Sequence, residues 1–128
     1  MTPKHTIIHS DRVPKAIGPY SQAVQYGSML FCSGQIALNP DTMEIVEGGI
    51  REQTERVMEN VKALLEDAGS GLDQILKCSI FLVSMDDFGV VNEVYGTYVE
   101  KSAPARETVA VRSLPKGVLI EVSVTAYV

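Results

Sequence analysis

From Val118 to Tyr127 the residues alternate strictly, with Val118, Ile120, Val122, Val124 and Ala126 on one side and Leu119, Glu121, Ser123, Thr125 and Tyr127 on the other. A period of two with one wholly apolar side predicts a strand with that side in the core. The segment before it, Ala105 to Val111, also alternates. If Val109 and Val111 supply its apolar side, Arg106, Thr108 and Ala110 fall opposite. Between the two lies Leu114-Pro115-Lys116-Gly117, where Pro115 pre-sets a turn and Gly117 relieves it. The pattern therefore predicts an antiparallel hairpin. Opposed residues must point the same way, which sets Ser113 against Val118, Ala110 against Glu121, Thr108 against Ser123 and Arg106 against Thr125. Arg106 and Glu121 would then share the non-core face, about four positions or roughly 13 Å apart. One small molecule does not bridge that distance within a chain. If both act on one ligand, each comes from a different neighbouring subunit.

Elsewhere the pattern predicts further elements in a simple order. Thr6 to His9 reads as a short strand, and Gln22–Tyr26 with Met29–Ser33 as a hairpin around Gly27-Ser28. Asp11 to Gly18 is a loop, and Asn39-Pro40-Asp41 a turn. From Ile50 the period changes to that of a helix. Ile50, Val57, Met58, Val61, Leu64, Leu65 and Ala68 form its apolar stripe, and Gly69 ends it. Ile75 to Val83 is a strand with Leu76, Cys78, Ile80 and Leu82 on one side. Ser84 and Asp87 then open a second helix with Phe88, Val91, Val94, Tyr95 and Tyr98 buried. Three strands, helix, strand, helix and two strands predict one α+β domain over residues 1–128, a two-layer mixed β-sheet with two helices on one face. The other face lacks a cover from its own chain, and a symmetric oligomer is the physical solution.

Composition narrows the function by exclusion. A net charge of −5 argues against a nucleic-acid surface. Cys32 and Cys78 sit in apolar strand patterns and read as small buried hydrophobes. No apolar run nears the ~18 residues that span a membrane. Without a signal-peptide core or basic transit helix the chain reads as cytoplasmic, with a mitochondrial location left open. His5 and His9 have no metal-ligand spacing, and neither a phosphate loop nor a dinucleotide fingerprint occurs. Ser33 precedes Gly34 but lacks the Gly-x-Ser-x-Gly setting of a nucleophile elbow. Cofactor-dependent chemistry has no visible anchor.

What remains is a set of polar groups in unusual places: Ile17-Gly18-Pro19-Tyr20-Ser21-Gln22, Ser33-Gly34-Gln35-Ile36, Pro104-Ala105-Arg106, and Leu114-Pro115-Lys116-Gly117 running on to Ile120-Glu121. Four separated motifs in this order resemble the RidA/YjgF family of reactive-intermediate (enamine/imine) deaminases over nearly the whole chain. The resemblance implies a chorismate-mutase-like homotrimer with clefts between subunits and no cofactor or metal. It implies hydrolysis of 2-aminoacrylate and related enamines or imines to 2-keto acids and ammonia. Arg106 would bind the substrate carboxylate and Glu121 would handle the water. Tyr20, Ser33, Gly34 and Asn92 would line the cleft, with the backbone N–H of Thr108 near the carboxylate. Many members carry Arg-Ser-Cys where this chain has Arg106-Glu107-Thr108, which keeps the backbone donor and removes any thiol. The residue types suit the role, because a guanidinium binds a carboxylate through two parallel hydrogen bonds. Other readings stay in view: an interface salt bridge for Arg106, an ordinary polar position on the non-core face of a strand for Glu121, a non-catalytic carboxylate-binding or chaperone-like trimer, and action on RNA, which the acidic charge disfavours.

Overall fold

The protein is described here by a computed structural model covering residues 4–128. Its elements are β1 (Thr6–Ile8), β2 (Ala23–Tyr26), β3 (Met29–Cys32), α1 (Ile50–Asp67), β4 (Ile75–Leu82), α2 (Phe88–Val99), β5 (Ala105–Ala110) and β6 (Ile120–Tyr127). They build one six-stranded sheet in the order β1-β2-β3-β6-β4-β5. All neighbours are antiparallel except β4 and β5, which are parallel. Parallel neighbours need a crossover, and α2 supplies it. The predicted α+β architecture is the one observed, with both helices packed over the buried core. Among the described residues no helix is long and apolar enough to cross a membrane.

The helix ends follow from local chemistry. Glu52 accepts from the N–H of Gly49 at 2.8 Å, closing the first turn of α1. At the other end Gly69 takes φ +82°. Its N–H bonds to the Glu66 carbonyl and that of Ser70 to the Leu65 carbonyl, the paired bonds of a left-handed helix stop. Ser84 accepts from the Asp86 N–H and starts a short turn that runs into α2. The core joins Met58, Leu64 and Leu65 of α1 to Leu30, Ile80, Leu82 and Ile120 of the sheet, all fully buried. Val118, Ile120, Val122, Val124 and Ala126 are buried as their alternation requires.

Three expectations fail, for identifiable reasons. The segments around Pro115 do not form a hairpin. β6 inserts between β3 and β4, while β5 lies outside β4 at the sheet edge. The Pro115–Gly117 turn, with Lys116 at φ 59° and Gly117 at φ +72°, therefore crosses over β4 instead of joining neighbours. In the observed register Arg106, Thr108 and Ala110 pair with Cys78, Ile80 and Leu82. Those partners are fully buried, so Arg106, Thr108 and Ala110 lie on the helix side, and Val109, 44% exposed, faces the open side. The core-facing side of β5 is thus the one opposite to that predicted by Val109 and Val111. In β4 a register shift between Ile75 and Lys77 buries Ile75 and leaves Leu76 45% exposed. A bulge of this kind flips the alternation on one side of it.

Candidate active site

Glu121 stands on the open face of β6, paired with Phe81. It lines a cleft of about 630 Å³ with Pro14, Ile17, Tyr20, Ser33, Gly34 and Lys116 among its walls. The cleft exists because β3 stops at Cys32 and the chain resumes pairing with β6 only at Gln35, whose N–H and C=O both bond Val122. Gly34 sits in that gap. A Cβ built there would lie 2.8 Å from Cδ and 3.0 Å from Cγ of Glu121, tighter than a real methyl tolerates. The missing side chain is what lets Glu121 lie against this backbone. Burial pushes the Glu121 carboxyl above the usual carboxylate range. Ser33 Oγ donates to the Ser21 carbonyl at 2.6 Å, so the hydroxyl is oriented by the loop. The adjoining Cys32 thiol is pushed up to about 12 by burial, which keeps it protonated at neutral pH.

The rest of the cleft is held by buried amides. Gln22 accepts from the Ser10 N–H at 2.6 Å and donates to the carbonyls of Ser10 and Pro14, both at 3.0 Å. It thereby pins the 10–14 loop beneath Tyr20, whose hydroxyl accepts from the Ile17 N–H at 3.3 Å. Across the cleft Asn60 of α1 donates to the carbonyls of Ile36 and Leu38 at 3.3 and 3.0 Å. Gln53 accepts from the Leu119 N–H at 2.8 Å. Gln22, Gln53 and Asn60 are all buried. Gln53 and Asn60 interrupt the polar and apolar faces of α1 as sequence reads them, and that irregularity was the available signal.

Arg106 lies elsewhere. On the exposed β5 edge its Nη1 donates to Asn92 Oδ1 of α2 at 2.6 Å, and its guanidinium sits over the rings of Phe88 and Tyr95. With Asn92, Tyr95, Gly96 and Pro104 it lines a separate open depression of about 520 Å³. Since the Val111 N–H bonds to the Leu82 carbonyl, the two-residue period of a parallel ladder turns the N–H groups of Arg106 and Thr108 outward from the sheet edge. The Thr108 hydroxyl is buried and unpartnered, so among its groups the backbone N–H is the one presented outward. Under Arg106, burial raises the Cys78 thiol, while the Tyr95 hydroxyl and the Arg106 charge pull it back.

The site residues expected from the motifs therefore fall into two groups. Tyr20, Ser33, Gly34 and Glu121 share the cleft; Asn92, Arg106 and Thr108 share the β5 edge. Arg106 and Glu121 do not occupy one face, as the hairpin register required. They lie on opposite faces, two strands and three residues apart, roughly 14 Å between Cα atoms. The expectation that one chain cannot bring them together survives the correction. The helical pattern alone places Phe88 and Tyr95 in the buried stripe; their spacing with Asn92 at i, i+4 and i+7 is the signal that all three share one helix face.

The chain as a whole has known counterparts. The family model described as endoribonuclease L-PSP matches residues 10–128. A RutC family protein of Pyrococcus abyssi is 50% identical over 121 residues, covering 94% of this chain and 95% of the relative. The 2-iminobutanoate/2-iminopropanoate deaminase of Mus musculus is 39% identical over 120 residues, covering 94% and 89%. Among solved structures, E. coli TdcF with bound serine superposes with a TM-score of 0.90 at 40% identity, covering 96% of this chain and 98% of that one. The chain belongs to this endoribonuclease L-PSP family, the RidA/YjgF family that its motifs resemble.

Proposed function

We propose that the protein is an enamine/imine deaminase. It hydrolyses 2-aminoacrylate, 2-iminobutanoate and related intermediates to 2-keto acids and ammonia, in sites formed between neighbouring subunits of a homotrimer. One observation carries the reading: Glu121 and Arg106 each head an open half-site on opposite faces of the sheet. The Glu121 cleft holds a carboxyl raised by burial and lacks a guanidinium among its walls. The β5 edge holds a guanidinium and outward N–H groups, and among the described residues Arg106 makes no ion pair with a carboxylate. The open sheet face also exposes Phe31 and Val109, apolar surface that a neighbouring copy would cover.

The chemistry asked of such a site is modest. Arg106 and the Thr108 N–H hold the substrate carboxylate, which fixes the imine carbon over Glu121 of the next subunit. A water adds to that carbon as its proton passes to the Glu121 carboxylate. With the imine nitrogen protonated at the start, Glu121 returns that proton to nitrogen, and the C–N bond breaks as the remaining hydroxyl proton passes to the freed carboxylate, leaving the 2-keto acid and ammonia. Burial shifts this carboxyl upward, toward the operating pH, which favours its accepting and returning a proton. The mouse relative's name and the serine bound to TdcF support a small ligand with a carboxylate beside a nitrogen-bearing carbon.

The test couples a pyridoxal-phosphate dehydratase, which generates 2-aminoacrylate or 2-iminobutanoate, to keto-acid detection. Wild type should accelerate release, and Arg106→Ala should lose at least about 10²-fold, the scale of lost orientation. No acceleration, with the oligomer intact by gel filtration, would leave a carboxylate-binding protein and refute the deaminase.

A further inference from the structure

The first turns of α2 present Phe88, Asn92 and Tyr95 at i, i+4 and i+7, one stripe of a single helix face. The Arg106 Cζ lies 5.5 Å from the Phe88 ring centroid and 5.3 Å from that of Tyr95. Seven residues of helix span about 10.5 Å along the axis, close to those two distances laid end to end. The guanidinium therefore sits between the rings, with Asn92 at its Nη1. Among the described residues no other hydrogen-bond acceptor is within reach of it. Phe88 and Tyr95 also hold their own places: Tyr95 is buried, and Phe88 begins α2 directly after the Ser84-capped turn.

We propose that Phe88 and Tyr95 are positioning residues, forming an aromatic slot that sets the plane of the Arg106 guanidinium before substrate arrives. This rests on the reading of Arg106 as the carboxylate clamp and adds what makes an exposed side chain precise. A free arginine on a sheet edge loses rotamer freedom when it grips a ligand. The slot removes that loss beforehand. A guanidinium stacks on rings and offers a flat fork, which an ammonium does not. Asn92 occupies one Nη1–H, so the Nε and Nη2 side remains for a two-point grip on a carboxylate. The slot thus selects planar anions presented edge-on, and it accounts for arginine here in place of lysine.

The test uses the full-length protein and 2-oxobutanoate, a 2-keto acid whose binding is measured by calorimetry without any turnover. The Arg106 Hε resonance, identified by its absence in Arg106→Ala, should lie upfield of the usual arginine range because of the two ring currents. Phe88→Leu should move it toward that range and weaken 2-oxobutanoate about three- to tenfold, the worth of one partly exposed cation–ring contact. Phe88→Tyr should restore both readouts. An unshifted resonance in the wild type overturns the slot, whether or not the leucine variant folds. So does unchanged affinity in a folded Phe88→Leu. Failure of the wild type to bind 2-oxobutanoate overturns the clamp and the slot together. Binding without imine hydrolysis refutes only the deaminase.

Discussion

The Glu121 cleft and the Arg106 edge solve opposite problems. Glu121 is half-buried, and its cleft is walled by loops that Gln22, Gln53 and Asn60 tie down through buried hydrogen bonds. Its carboxyl is tuned by removal of water, a property of the surroundings that no residue in its own strand shows. Arg106 is exposed at a sheet edge and is held by three side chains of a single helix. One group is tuned by burial and the other is aimed by stacking. In the proposed reaction the acid/base group needs a shifted proton affinity, whereas the anion clamp needs orientation and a permanent charge, and the two settings match those two needs.

That contrast can be broken at the Glu121 side first. Glu121→Gln should cost about 10²–10⁴-fold in turnover while leaving 2-oxobutanoate affinity nearly intact, because it removes the proton carrier and not the clamp. It should also abolish the rise of activity with pH. In the wild type that rise is expected at a midpoint above the ordinary glutamate value, since burial raises the folded-state pKa. The sign for stability is the reverse. Between the unfolded and folded pKa values the native state binds more protons, so stability falls as pH rises through that window. Urea titrations across it should show the fall in wild type and its absence in Glu121→Gln. Equal slopes in the two proteins would show that burial does not tune this carboxyl.

A smaller effect is expected at Gly34. A methyl there meets Glu121 Cδ at 2.8 Å, so Gly34→Ala should swing the carboxyl away and lower turnover about 10²-fold, the scale of a displacement near 1 Å. The strand pairing of Gln35 should persist, with little change in thermal midpoint. A variant of full activity would show that the carboxyl has room to move. Smallest for catalysis is Gln22→Ala. It should lower stability by about 1–3 kcal/mol, because the Ser10 N–H and the carbonyls of Ser10 and Pro14 lose their buried partner. Its readout is the denaturant midpoint, and an unchanged midpoint would mean that water replaces the amide.

The comparison also separates what a sequence displays from what it hides. The α1 stripe, the Gly27-Ser28 hairpin and the alternation from Val118 were legible because each is a local pattern with one sharply apolar side. Strand neighbours were not. Proximity of β5 and β6 in sequence favoured a hairpin, yet β4 claims both. The face of β5 was misread because an apolar Val109 on an unpaired sheet face looks like core in one dimension. Tyr20, Ser33, Gly34 and Glu121, which the motif resemblance names together, line one cleft. The aromatic setting of Arg106 was not legible, because helical tyrosine and phenylalanine read as packing until a cation is found between them.

The placement of Glu121 and Arg106 on opposite faces of one sheet has a genetic consequence. In the proposed assembly every working centre draws on two polypeptides, so two chains ruined at different positions are not equally ruined when they assemble together. An allele lacking Arg106 and another lacking Glu121 can each supply what the other has lost, and random mixing rebuilds about one centre in four. Two alleles damaged in the same half-site cannot complement at all. The sheet thereby divides the chain into two complementation groups, with the boundary running between its own faces.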